Sequence, residues 1–280
     1  MRLLRVETPE FDLARTLESG QVFHWQREGI RWSGLIDSTP VCVEQGNGGD
    51  LRVPSGTETL LRHYFAFDHP LDAIYASFPT DPVMRDALAF SRGLRIIRQP
   101  VWECLGTFIT SPMKRVEHIR QMSLALRERF GEPVEGSVVR RYPVPAALAA
   151  CKEGDFRECG LGFRAKNLLA AARMVADGAI DLEAIHGMET DAAREVLCRI
   201  PGVGRKVANC VLLFAYERLD AVPVDVWIGR ILRNEYLRGV PKLNSVRIEA
   251  FSAEHFGVFA GYAQQYLFHH ARVRSLRPAS

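Results

Sequence analysis

Hydrophobic and polar positions divide the chain into two textures. Up to residue 80, apolar residues come in short alternating or β-rich runs, Val22–Trp25, Ile30–Ile36 and Val41–Glu44. Arg27–Gly29 and the glycine-rich stretch 45–49 separate them, which is the pattern of a small antiparallel sheet. Thr57–Phe67 and Leu71–Phe78 then carry helical spacing. From Asp81 onward the period stays helical. Asp81-Pro82 opens one helix, because an Asp oxygen accepts from free amides and proline suits the first turn. Val101–Ser111, Arg115–Phe130 (stopped by Gly131), Arg164–Asp177, Thr190–Ile200, Arg205–Glu217, Asp225–Tyr236, Ser245–His255 and Phe259–Arg274 follow. The predicted class is α+β: a small antiparallel front domain over 1–80 packed on an all-helical domain over 81–280.

At 280 residues the chain suits one large domain or two small ones. Hydrophobic residues at 47% and charged residues at 25% exclude global disorder. The longest apolar stretch, Val207–Tyr216, falls far short of a membrane span. Glu7, Glu10 and Asp12 interrupt the place where a secretory signal needs an apolar core, so an intracellular protein is expected, with no membrane partner. Cys42, Cys104, Cys151, Cys159, Cys198 and Cys210 form no C-x-x-C pair, which speaks against a zinc site, an iron–sulfur cluster and a disulfide framework. Charge is uneven: residues 199–280 hold 12 Lys/Arg against 6 Asp/Glu, although the whole chain carries only +3. A basic C-terminal portion suits a polyanion, or is simply a solvated helical surface.

The chemistry concentrates after residue 199. Between two predicted helices stands Arg199-Ile-Pro-Gly-Val-Gly-Arg-Lys206. Gly202 and Gly204 permit a tight turn and close approach of a phosphate, and the helix that follows offers free amides and a positive dipole end. These are the requirements of a helix–hairpin–helix near 190–217 that grips a nucleic-acid backbone without reading bases. Arg205 sits where it can add charge. The same dipole end disfavours an ammonium at Lys206, and a neutral amine is a good nucleophile for a sugar carbon. Read alone, Lys206 fits a solvated phosphate contact better than a nucleophile. Downstream, Val222-Pro-Val-Asp225 delivers a carboxylate to a helix start, where it is either a plain cap or a fixed anion for a developing oxocarbenium ion.

P-G-V-G-R-K, followed 19 residues after Lys206 by the Asp of V-P-V-D, resembles the hairpin and catalytic Asp of the DNA glycosylase superfamily. The Lys places the resemblance with its bifunctional members, most closely the 8-oxoguanine DNA glycosylase/AP lyase family. Ser19-Gly20-Gln21-Val22-Phe23-His24-Trp25 is similar to that family's S-G-Q-x-F-x-W segment, and Gly160-Leu-Gly-Phe-Arg164 to its G-L-G-Y-R loop. Gly261-Tyr-Ala-Gln264-Gln-Tyr-Leu-Phe268 is similar to its final helix. The resemblance implies a TATA-binding-protein-like N-terminal domain on a helical glycosylase domain.

It also implies roles. Lys206 is the nucleophile and Asp225 its electrostatic partner. N7 of 8-oxoguanine carries a hydrogen where N7 of guanine accepts one, so a single backbone carbonyl, at Gly20, tells the two bases apart. Gln264 and Phe268, one helical turn apart, offer an amide and a ring to the extruded base, and Cys210 forms the opposite wall. Without the motif, Phe268 and Cys210 would be core residues. Phe163 is the aromatic wedge in the stack and Arg164 the guanidinium that reads the orphaned cytosine. Trp227 stands where many members have a phosphate-touching His. Ser111-Pro112-Met113-Lys114 replaces an Asn run that helps to read the opposite cytosine, which leaves that preference open. The expected partner is duplex DNA containing 8-oxoguanine, bound by a monomer without metal or organic cofactor. A monofunctional alkylbase glycosylase, an adenine glycosylase (normally with an iron–sulfur cluster) and a non-catalytic helix–hairpin–helix module are the competing readings.

Overall fold

The computed structural model describes residues 3–46, 48–240 and 244–276; Asn47 of the predicted break, and Lys242 and Arg277 of the basic portion, lie outside them. The chain begins β1 (Leu3–Val6), α1 (Leu13–Glu18), β2 (Gln26–Glu28), β3 (Arg31–Ile36), β4 (Thr39–Gln45), β5 (Leu51–Pro54) and α2 (Glu58–Tyr64). The strands form one antiparallel sheet in the order β1-β5-β4-β3-β2. Val41 and Val43 on β4 and Val53 on β5 point into a core completed by α1 and α2, with Leu13, Leu17, Tyr64 and Phe65. Period-2 alternation thus buries one sheet face under helices.

Helices follow: α3 (Leu71–Ser77), α4 (Pro82–Ser91), α5 (Val101–Thr110), α6 (Val116–Phe130), α7 (Pro145–Ala149) and α8 (Ala165–Ala176). After them come α9 (Thr190–Cys198), α10 (Arg205–Phe214), α11 (Val226–Ile231), α12 (Ser245–Phe256) and α13 (Ala260–Leu276). Asp81 caps α4 as expected, its Oδ1 accepting from the Met84 amide at 2.9 Å. A wider π-helical turn, Leu232–Tyr236, extends α11. These helices share a second core, to which α3 contributes Leu71 and Ile74.

The predicted strand Val22–Trp25 is not a strand. It is a buried irregular segment along the seam between the two cores: Phe23 enters the helical core, Val22 and Trp25 the sheet core. Its alternation reflects burial on two sides, and side chains replace the ladder bonds. Gln21 donates to Thr16 O and Arg95 O, its Oε1 accepts from the Ile97 amide at 2.9 Å, and Gln99 donates to Gln21 O at 2.8 Å. His24 Nδ1 lies 2.9 Å from Glu103 of α5, which also pairs with Arg127 of α6. Burial pushes the Glu103 carboxyl up, but Arg127 and His24 outweigh it and hold it at about 2. This seam presents residues 19–21 rigidly to the helical layer.

Candidate active site

The hairpin forms where predicted. α9 ends at Cys198, Val203 donates its amide to Ile200 O at 3.0 Å, and α10 begins at Arg205. Ile200 and Val203 are buried and anchor the turn. The two glycines differ in what they need. Gly202 has φ +84°, and a Cβ there would stand 2.7 Å from Asn167 Cβ on α8. Gly204 has φ −95°, and a Cβ there would meet no protein atom within 4 Å. Gly202→Ala is therefore expected to destabilise the fold by about 2 kcal/mol. Gly204→Ala should leave the melting temperature unchanged and weaken duplex DNA binding about ten-fold, because its methyl group occupies the space offered to a phosphate. Thermal melts and binding titrations of the two variants check this; unimpaired binding by Gly204→Ala would remove that glycine from the interface.

In the first turn of α10, Lys206 turns toward a cleft of about 1200 Å³. Its Nζ donates to Ser111 Oγ at 3.3 Å and stands 5.3 Å from the Phe108 ring centre. Asp225 lines the same cleft and caps α11, Oδ1 accepting from the Ile228 amide at 2.8 Å. Burial pushes its carboxyl up from the ordinary value, against the pull of the amides and the Lys206 charge. Asn209, which the sequence reading missed, joins the two elements. It is buried on α10, donates to Val222 O at 2.8 Å and accepts from Arg194 Nε at 2.7 Å. A lone amide inside the apolar run Val207–Phe214 was the available signal.

The far wall comes from α13 and the seam. Gln264 is buried with its Oε1 unpartnered, and Phe268 is half-buried one turn later; both line the cleft. Gly20 lies opposite at φ +84°, where a Cβ would stand 3.1 Å from the Phe268 ring. Gln265, also missed, donates to Ser19 O at 3.0 Å and so ties α13 to the Gly20 segment. Cys210 is buried beside Lys206, and burial pushes its thiol up, which keeps it a neutral wall. Lys206, Asp225, Cys210, Gly20, Gln264, Phe268, Gly202, Gly204 and Trp227 therefore meet in one cavity. Lys114, Arg115, Arg230 and Arg233 add positive charge to its lining.

Three predicted residues stand outside it. Arg205 is paired with Glu249 of α12, Nε to Oε2 3.0 Å. Phe163 is exposed, as a wedge requires, but Arg164 is buried beneath it and turned inward. Its Nε and Nη2 donate to Pro112 O and its Nη1 to Leu161 O, with the guanidinium 4.3 Å from the Phe163 ring centre.

Residues 3–105 match the family profile described as 8-oxoguanine DNA glycosylase, N-terminal domain. The probable N-glycosylase/DNA lyase of Methanothermobacter thermautotrophicus is 31% identical, over 98% of this chain and 97% of its own. The chain belongs to the 8-oxoguanine DNA glycosylase/AP lyase family. The N-glycosylase/DNA lyase OGG1 of Arabidopsis thaliana is 30% identical over 95% of this chain and 78% of its own. Among solved structures, the Clostridium acetobutylicum 8-oxoguanine glycosylase/lyase, in complex with duplex DNA containing cytosine opposite 8-oxoguanine, is similar with a TM-score of 0.89 at 28% identity. That likeness covers 99% of each chain. The two chains thus share the arrangement of an antiparallel sheet and a helical body. Among the described residues, no helix is long and apolar enough to cross a membrane.

Proposed function

We propose that the protein is a bifunctional base-excision repair enzyme that removes 8-oxoguanine from duplex DNA inside the cell and nicks the resulting site. The observation that carries this reading is the convergence of Lys206, Asp225, Gly20, Gln264 and Phe268 on one cleft between the seam and the helical layer. In this reading residues 1–80 are the TATA-binding-protein-like domain and 81–280 the glycosylase domain. The amides of the hairpin hold a phosphate, the basic lining holds the kinked duplex, and Phe163 fills the stack.

The extruded base enters edge-on to Gln264, whose free buried Oε1 needs a donor, and lies against Phe268. The Lys206 lone pair attacks C1′ while the C1′–N9 bond breaks, its electrons leaving with the base, which takes up a proton. Asp225 stabilises the positive charge on the sugar during this step. Nζ sheds a proton, the C1′–O4′ bond opens with protonation of O4′, and a protonated Schiff base remains. Loss of a C2′ proton then expels the 3′ phosphate, which nicks the strand; hydrolysis of the imine restores Lys206.

Duplexes carrying 8-oxoguanine or guanine opposite each of the four bases test the reading. Release of 8-oxoguanine at least about a hundred-fold faster than guanine is expected, since guanine loses the hydrogen bond from N7 and leaves the Gly20 carbonyl without a donor, at a cost of about 3 kcal/mol. Equal release, or none, would sink it.

A further inference from the structure

Resting on Lys206 as the nucleophile, we infer that the Ser111–Pro112 turn is a positioning device for its amine, and that Arg164 anchors this turn. Ser111 closes α5 and is buried. Its hydroxyl proton is committed to Phe108 O at 2.9 Å, so the lone pairs of Oγ face the cleft as acceptors, and Nζ of Lys206 lies 3.3 Å away. A hydroxyl fixed in this way accepts one Nζ hydrogen and restricts the rotation of a long flexible side chain. The Phe108 ring bounds the amine on another side. An acceptor that cannot give up its own proton directs the remaining lone pair of Nζ without competing for it.

The turn itself needs support. Met113 next to it has φ +60°, a costly conformation for a side chain that is 92% exposed and packs on nothing that could compensate. What holds the turn is Arg164: two of its nitrogens converge on the Pro112 carbonyl, Nε at 3.0 Å, and the third donates to Leu161 O. All three nitrogens of the fork therefore have acceptors within the protein, and its upper face lies under the Phe163 ring at 4.3 Å. A guanidinium so placed spends three of its five N–H donors on these two carbonyls. It links the loop carrying the wedge residue to the turn that aims the nucleophile, although Arg164 and Lys206 do not touch.

Single-turnover release of 8-oxoguanine, affinity for a duplex bearing an uncleavable abasic analogue, and thermal melting separate aim from binding and from folding. Ser111→Ala is expected to slow release about ten-fold with affinity held within about two-fold, and Ser111→Thr, which keeps the hydroxyl, to restore most of the rate. Arg164→Met should slow release by a similar factor whichever base stands opposite. The double variant should be no slower than either single one, since both changes undo the same contact. Arg164→Lys carries the test if Arg164→Met melts below the assay temperature. Wild-type rates for Ser111→Ala would overturn the proposal. So would an additive double variant, or an Arg164 effect confined to cytosine as the opposite base. A Lys206→Gln enzyme that still forms a covalent adduct would instead overturn the nucleophile assignment on which it rests.

Discussion

Lys206→Gln is expected to lower 8-oxoguanine release by about three orders of magnitude or more, the scale on which loss of a covalent nucleophile is felt. The amide keeps the length and polarity of the side chain but offers no basic lone pair to C1′. Folding should be unaffected, because the amine makes a long hydrogen bond to Ser111 and a ring contact with Phe108, neither of which holds an element in place. Duplex affinity should fall by less than about ten-fold, since at most one phosphate-directed charge is lost among the several in the lining. The competing reading, a Lys that only contacts phosphate, makes the opposite division: affinity and its salt dependence drop together, and turnover on saturating DNA survives. Measuring both quantities on one preparation decides between them.

Asp225→Asn is expected to reduce turnover about a hundred- to a thousand-fold with binding retained, as when one preorganised electrostatic partner of a transition state is removed. Asparagine can still cap α11, because its Oδ1 accepts from the Ile228 amide as the carboxylate oxygen does. The variant therefore isolates the charge, whereas Asp225→Ala also loses the cap and about 1 kcal/mol of stability. The wild type should show a matching pH dependence. Burial raises the Asp225 carboxyl above its ordinary value, and the anion is the active form. Turnover should consequently fall on acidification at a pH above the usual carboxylate range of about 4, and Asp225→Asn should lack that acid limb. Normal turnover in Asp225→Asn would reduce the residue to a cap.

Much of the site was legible because its requirements are local. P-G-V-G-R-K combines a left-handed turn, free amides and positive charge within six residues, and Asp225 announces itself by standing where a helix must begin. β3 and β4 were legible for the same reason, as alternation over a short span. β1 and β5 were not, since Leu3–Val6 finds its partner at Leu51–Pro54 and neither run is long enough to signal alone. Val22–Trp25 misled because burial between two cores imitates burial on one sheet face. Gln265 and Asn209 act through carbonyls distant in sequence, Ser19 and Val222, so only their polarity within apolar helices hinted at them. The motif assigns Arg164 to the orphaned cytosine; the carbonyl that turns it inward belongs to Pro112, 52 residues earlier. Sequence fixes which groups are present, and tertiary contacts decide which of their donors are already spent.

The amine of Lys206 and the anomeric carbon of the lesion form the bond on which the whole account depends. Borohydride reduction during turnover on 8-oxoguanine duplex, followed by proteolysis and mass spectrometry of the adduct, reads that bond directly. The account predicts a stable protein–DNA conjugate whose sugar remnant maps to Lys206, with no conjugate from Lys206→Gln. A conjugate mapping to another amine, or base release by the wild type with nothing trapped, would contradict it.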